Sequence, residues 1–173
     1  MSRRDWYLAT NTVVLGWIVA AAVIVGAHRA VAQPVWLMIH LPLLGAATAA
    51  ILVWSQHFAD TLLRRPSPWG RPGLAARLAL HTGGAIAIAV GIETSALLLI
   101  AVGASAVASA IALHVTLLTV QLHRALPARF APLVRYYVAA GLVFLAGIGL
   151  GALLALAPPE TADGIVLAHL LLN

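Results

Sequence analysis

Seven histidines stand against five carboxylates in a chain of 173 residues that contains no cysteine. His40, His81, His114 and His169 lie several residues inside apolar runs, whereas His28, His57 and His123 sit where such runs end. Neutral imidazole is a good axial ligand for haem iron and a good ligand for copper. Two histidines on different helices can clamp a haem b from both sides or hold a copper ion, so the four deep residues are the candidate cofactor ligands. Polar and ionisable residues inside a membrane are costly and default to a functional reading. The competing reading is a hydrogen bond to a neighbouring helix for the deep histidines, and wetting by headgroups for the three at helix ends. Without cysteine, disulfides, thiolate catalysis, Cys-ligated zinc and iron–sulfur clusters are excluded within the chain. No Ser–His–Asp set, P-loop, HExxH or paired carboxylate is present, so no catalytic residue is assigned.

The elements that must position these histidines are membrane helices. The chain is 62% hydrophobic and 9% charged, with a mean hydropathy of +1.00, far from the roughly 45–50% apolar and 25% charged of soluble domains. The expected fold is all-α: one polytopic transmembrane bundle over residues 1–173, with five full spans and a truncated sixth. The spans run from about Thr10 to Val31, Val35 to Trp54, Leu74 to Gly91, Ser95 to Leu122 and Pro132 to Leu156. Span two is apolar for 20 residues, about 30 Å of helix. It has His40 near one edge, His57 just past the other, and Trp36 and Trp54 at the interfaces. Residues 64–73, RRPSPWGRPG, read as a loop, and Pro42 as a kink. The sixth stretch, Gly164 to Asn173, covers half of what a bilayer needs. It is expected to continue beyond Asn173, because its last carbonyls would otherwise be unsatisfied at membrane depth. Arg3 and Arg4 before an apolar run resemble a signal peptide, but the run is too long and lacks a small-residue cleavage site.

All ten basic residues are arginine, and they fall mostly at helix ends, which is a topology signal and not a nucleic-acid stripe. With the N-terminus in the cytoplasm, nine lie inside and only Arg29 outside; Glu93, Glu160 and Asp163 are then solvated charges in outer loops. His40 and His169 share the outer layer, about six residues beyond Pro34 and five beyond Gly164, which is about 8–9 Å of helix in each case. They form the leading ligand pair, and His81 with His114 a looser inner one. Small residues line two faces: Gly103, Val107 and Ala110 below His114, and Gly84 and Ala85 after His81. Those faces suit either a flat macrocycle or close helix packing. Gly147 and Gly151 have the spacing that lets helices meet backbone to backbone.

Residues 40–64, HLPLLGAATAAILVWSQHFADTLLR, resemble the second span of a bacterial membrane family distantly related to NnrS and to haem–copper oxidase subunit I. Residues 126–141 and 167–173 are similar to further segments of it. Its best-known members are the N-terminal membrane regions of actinobacterial copper-containing nitrite reductases and multicopper oxidases. The resemblance implies a redox module with histidine-bound haem or copper. It implies His40, His57, His114 and His169 as metal ligands, and a chain that continues past Asn173. Where that pattern carries a Thr–Asn pair, this chain has Thr48–Ala49.

The sequence therefore points to an electron-transfer module of a bacterial respiratory or denitrification-type protein. It would be at most the membrane part of an oxidoreductase, lying in the cytoplasmic membrane. Its partners would be the lipid bilayer and a quinol or a copper domain, with a homo-oligomer also open. Metal-ion or small-solute transport or sensing, and a cofactor-free anchor, are the competing functions.

Overall fold

The computed structural model describes residues 2–126 and 129–172, so Pro127 and Asn173 lie outside the described residues. The fold is all-α. Six helices run α1 (Arg3–Ala27), α2 (Pro34–Leu62), α3 (Gly70–Thr94), α4 (Leu97–Arg124), α5 (Ala131–Leu154) and α6 (Pro159–Leu172). The first five are long and apolar enough to cross a bilayer, and the chain is a membrane protein on that account. The sixth, with 14 residues, falls short of the roughly 20 that a crossing needs.

Helix boundaries differ from the expected spans for local reasons. α1 starts well before Thr10 because Ser2 and Asp5 form a capping box over its first turn. The loop expected over residues 64–73 is shorter: α3 begins at Gly70 and takes Pro72 into its first turn. There the missing N–H would have had no partner anyway. α6 begins five residues before Gly164.

Two packed contacts fix the bundle. Gly84 and Gly103 bring α3 and α4 backbone to backbone: a Cβ on Gly103 would lie 2.6 Å from the Gly84 carbonyl oxygen. Van der Waals packing of small residues is what holds membrane helices together where lipid removes the hydrophobic drive. Gly84 and Gly103 are thus used in helix packing, and beside them an open groove is lined by Gly83, Ala87, Val102 and Ala106. The second contact seats the buried Trp17 of α1 on Gly45 of α2, where an added Cβ would come 2.4 Å from the indole. The core lies among α1–α4, around Leu37, Ala49, Leu52, Val53, Val107 and Ile111. α5 buries only Val134 and Gly147 and packs on α4 and α6.

The kink expected at Pro42 is a π-helical segment, Leu41–Ala47, inside α2. Pro42 offers no N–H to the turn before it, and the ladder widens: the Thr48 N–H reaches back five residues to the Leu43 carbonyl.

The bundle has two distinct ends. The arginine end carries Arg64, Arg65, Arg71 and Arg124; there Arg71 stacks over Trp6, and Gln121 donates to the Arg65 carbonyl. At the opposite end Glu93 is more than a solvated charge. Its carboxylate accepts the Ala32 and Gln33 backbone N–H groups, both at 2.8 Å, and so clamps the α1–α2 turn to α3.

Candidate functional site

Two polar constellations occupy the bundle, one toward each end. The first is closed. Arg77 of α3, only 1% exposed, points three donors at three acceptors: Nε to the Gly73 carbonyl at 3.1 Å, Nη1 to His114 Nδ1 at 2.8 Å and Nη2 to Gln56 Oε1 at 3.2 Å. Guanidinium has donors only, so His114 Nδ1 is the acceptor nitrogen and Nε2 carries the hydrogen. Nε2 donates to Ser55 Oγ at 2.8 Å, and the Ser55 hydroxyl donates in turn to the Ile51 carbonyl. Gln56 Nε2 donates to Asp60 Oδ1 at 2.8 Å and to Gln121 Oε1 at 3.0 Å. The same Asp60 oxygen accepts Gln121 Nε2 at 2.8 Å and the Ser67 N–H at 3.0 Å. Gln56 thus stands between one buried cation and one anion. The network binds α2, α3 and α4 together, and a ligand role for His114 would require breaking one of its two bonds.

Arg77 therefore belongs to the bundle interior and not to the loop charges that set topology. Sequence reasoning missed Ser55, Gln56, Asp60 and Gln121 as well. The signal was present: Gln56 and Gln121 are amides within apolar helices, and such groups seldom go unpaired there.

The second constellation is open and lies toward the Glu93 end. His40 of α2 and His169 of α6 face each other with ring centroids 6.3 Å apart and planes 15° from parallel. His40 Nδ1 donates to the Trp36 carbonyl at 2.9 Å, and the Trp36 indole lies flat on the ring at 4.0 Å. His169 Nδ1 donates to the Gly147 carbonyl at 2.9 Å. In each ring a carbonyl can only accept, so the hydrogen sits on Nδ1 and the lone pair on Nε2. Gly151 makes room for the second ring, since a Cβ there would approach His169 Cε1 to 3.1 Å. The Gly147–Gly151 pair thus receives a histidine as well as a helix. Both imidazoles are half-buried. The crevice on the core side of His40, lined by Trp17, Trp36, Leu44 and Gly45, has no room for a water, so the pair is reached from its exposed flank.

α6 starts at Pro159 and not at Gly164, so the two histidines do not lie equally deep in their helices. His169 is about 15 Å along α6 and His40 about 9 Å along α2, so the helix starts are offset by about one turn and the rings still meet.

The remaining histidines are separate from the pair. His81 is fully buried; Nε2 donates to the Leu44 carbonyl at 2.8 Å, and Nδ1 has no partner among the described residues. His57 Nδ1 bonds the Tyr7 hydroxyl at 2.6 Å beside Trp54. His28 and His123 are exposed and bond carbonyls of their own helices. Among the described residues no three His, Cys, Asp or Glu side chains converge as a metal-binding group. His40, His57, His114 and His169 are therefore not one centre; only His40 and His169 come together.

The separation of the two rings, apart from their stacked orientation, suits an ion that takes two imidazoles. Two metal–nitrogen bonds of about 2 Å, with the half-rings behind them, span about 6.4 Å between imidazole centres; the 6.3 Å separation lies within that span, while the stacked planes put the Nε2 lone pairs, which lie in the ring planes, off the line between the centres. A ligating histidine usually anchors its other N–H on a carbonyl or carboxylate, as both rings do here. Compared with protein-family models, curated proteins and solved structures, the chain matches none.

Proposed function

We propose that this chain is a membrane redox module in which His40 and His169 hold a haem b or a copper ion for electron transfer. The observation that carries the reading is the parallel pair of rings at 6.3 Å, each with Nδ1–H fixed on a backbone carbonyl. Bound there, such a group supplies a one-electron couple. The protein supplies the tautomer, through the Trp36 and Gly147 carbonyls, and the ring orientation, through Trp36 stacking on one side and the Gly151 notch on the other. Trp36 also shields one face of His40 from water.

The resemblance to the membrane regions of copper-containing nitrite reductases agrees with this role, with nitrite chemistry assigned to copper domains outside the bilayer. The arginine distribution supports a cytoplasmic N-terminus, which puts the histidine pair on the outer side, within reach of such a domain. The test is the metal and haem content and the absorption and EPR spectra of the purified protein, compared with His40→Ala and His169→Ala. Each substitution should abolish or strongly lower loading. If both variants keep wild-type loading and spectra, the pair is structural and the proposal fails.

A further inference from the structure

We infer that His81 is a positioning residue for the outer pair: by holding the π-helical segment of α2 it sets the direction in which His40 points. The inference rests on the redox reading for its purpose, but its geometry stands apart from any bound group.

An α-helix advances about 100° per residue. Ala49 marks the buried side of α2 below the π segment, being fully enclosed together with Leu52 and Val53. Counted back along an unbroken α-helix, the nine residues to His40 leave it about 180° from Ala49, facing away from the bundle. A single π turn absorbs on the order of one residue without advancing the phase. With that correction His40 stands about 80° from Ala49, on the flank of the buried face. Neighbouring residues agree. Leu37, 4% exposed, falls within about 20° of Ala49 only after the correction, and Ile39, 47% exposed, then falls opposite. The π segment is therefore what turns His40 toward α6.

His81 is the side chain that grips this segment. Its Nε2–H is donated across from α3 to the Leu44 carbonyl, the fourth of the seven π-helical residues. A carbonyl accepts only, so this bond assigns the tautomer and places the lone pair on Nδ1. Nδ1 is buried without a partner among the described residues, so the Leu44 bond is the one hydrogen bond that orients the ring. His81 thus leaves one buried polar atom unmatched in order to hold Leu44, and buried polar groups left unmatched are few in folded proteins. As a ligand it would have to give up the same bond.

The experiment uses the natural absence of cysteine. Spin labels on Ile39→Cys and Leu170→Cys, both at exposed positions, report the α2–α6 geometry in protein freed of any cofactor. His81→Leu should shift or broaden that distance distribution by on the order of 5 Å, the displacement of a side chain turned through one residue of phase. His81→Gln, which keeps an N–H donor, should restore it. Pro42→Ala returns an N–H to the ladder and should move the same distance with His81 intact, which decides the matter should His81→Leu not fold. In the cofactor-loaded protein, His81→Leu should change the spectrum while retaining metal that His40→Ala loses. Unchanged distances in folded His81→Leu, or in Pro42→Ala should His81→Leu not fold, would overturn the inference. Shifted distances in a protein that never binds metal would sustain the positioning role and defeat the redox proposal instead.

Discussion

The Arg77 network and the His40–His169 pair are built from similar side chains and behave as opposites. In the network, His114 has both ring nitrogens engaged, and the arginine, two glutamines, serine and aspartate close on one another across three helices. In the pair, each imidazole donates through Nδ1 to a backbone carbonyl, His40 to Trp36 of its own helix and His169 to Gly147 of α5. Low dielectric makes a satisfied polar cluster rigid and a partly satisfied one costly. The difference separates a histidine bonded through both ring nitrogens across helices from a pair held against backbone carbonyls. The four deep histidines play different parts: His114 locks helices, His81 holds the π segment, and His40 and His169 are the pair proposed to bind a group.

The largest effect that could break this contrast is the loss of Arg77. Arg77→Leu would leave His114 Nδ1 and Gln56 Oε1 buried without their donor and remove the cation that balances Asp60. Removing one partner of a buried charge-bearing network costs on the order of 3 kcal/mol. Unfolding titrations in mixed micelles should show a loss of that order, while the folded fraction keeps its cofactor. If folded Arg77→Leu protein lost metal as completely as His40→Ala, the two regions would not be separate in function.

Next in size is Gly45→Ala, which acts on the segment between the two regions. Its Cβ would lie 2.4 Å from Trp17, and forcing extra volume into a packed contact costs about 1–3 kcal/mol. The same unfolding measurement should register it. It should also perturb the spectrum of the histidine pair, because the strain falls in the π segment; a destabilised variant with a wild-type spectrum would uncouple the segment from the site.

The membrane bundle was legible from composition and from the lengths of apolar runs, because lipid imposes both directly. The meeting of His40 with His169 was also anticipated, although from a depth estimate that began α6 at the wrong residue. The Arg77 network was not legible. Arginine at a helix end satisfies the topology rule equally well whether it faces water or the core, and only its acceptors on α2 and α4 distinguish the two. The π segment was hidden for a similar reason: Pro42 announces a disturbed turn, but what replaces the lost bond depends on His81, 39 residues away in sequence. Gly84 and Gly103 fit two uses, and helix packing takes them.

A smaller effect is expected where the Glu93 end is tied together. Glu93→Gln keeps the size of the side chain but replaces two charge-assisted bonds to the Ala32 and Gln33 N–H groups with at most one neutral acceptor. A loss of about 1 kcal/mol follows, seen as a lower unfolding midpoint. Hydrogen exchange at the α1–α2 turn should speed up more than exchange at Gln56 or Gln121; uniform acceleration would mean that the turn and the Arg77 network unfold as one unit.

The smallest effect on stability, and the sharpest test of the contrast, is expected from Gly151→Ala. Alanine favours a helix interior over glycine by up to about 1 kcal/mol. The new Cβ would lie 3.1 Å from His169 Cε1, so the ring must yield by a few tenths of an ångström to reach ordinary contact. The two terms oppose each other, and the net stability change should stay within about 0.5 kcal/mol. The displaced ring, however, belongs to the pair: its distance and angle to His40 change while the Gly147 carbonyl continues to hold Nδ1. The expected outcome is an unchanged unfolding curve with a shifted ligand-field signature, such as altered EPR g-values of the loaded protein. A histidine used only to pack α6 on α5 would give the unchanged unfolding curve without the shifted signature. The equivalent intrusion at the closed end is Ser55→Ala, which removes the acceptor of His114 Nε2–H, and it should lower stability by about 1 kcal/mol and leave the spectrum alone. Opposite responses to these two small changes, one in the spectrum and one in the unfolding midpoint, are what the division between a locking histidine and a binding pair requires.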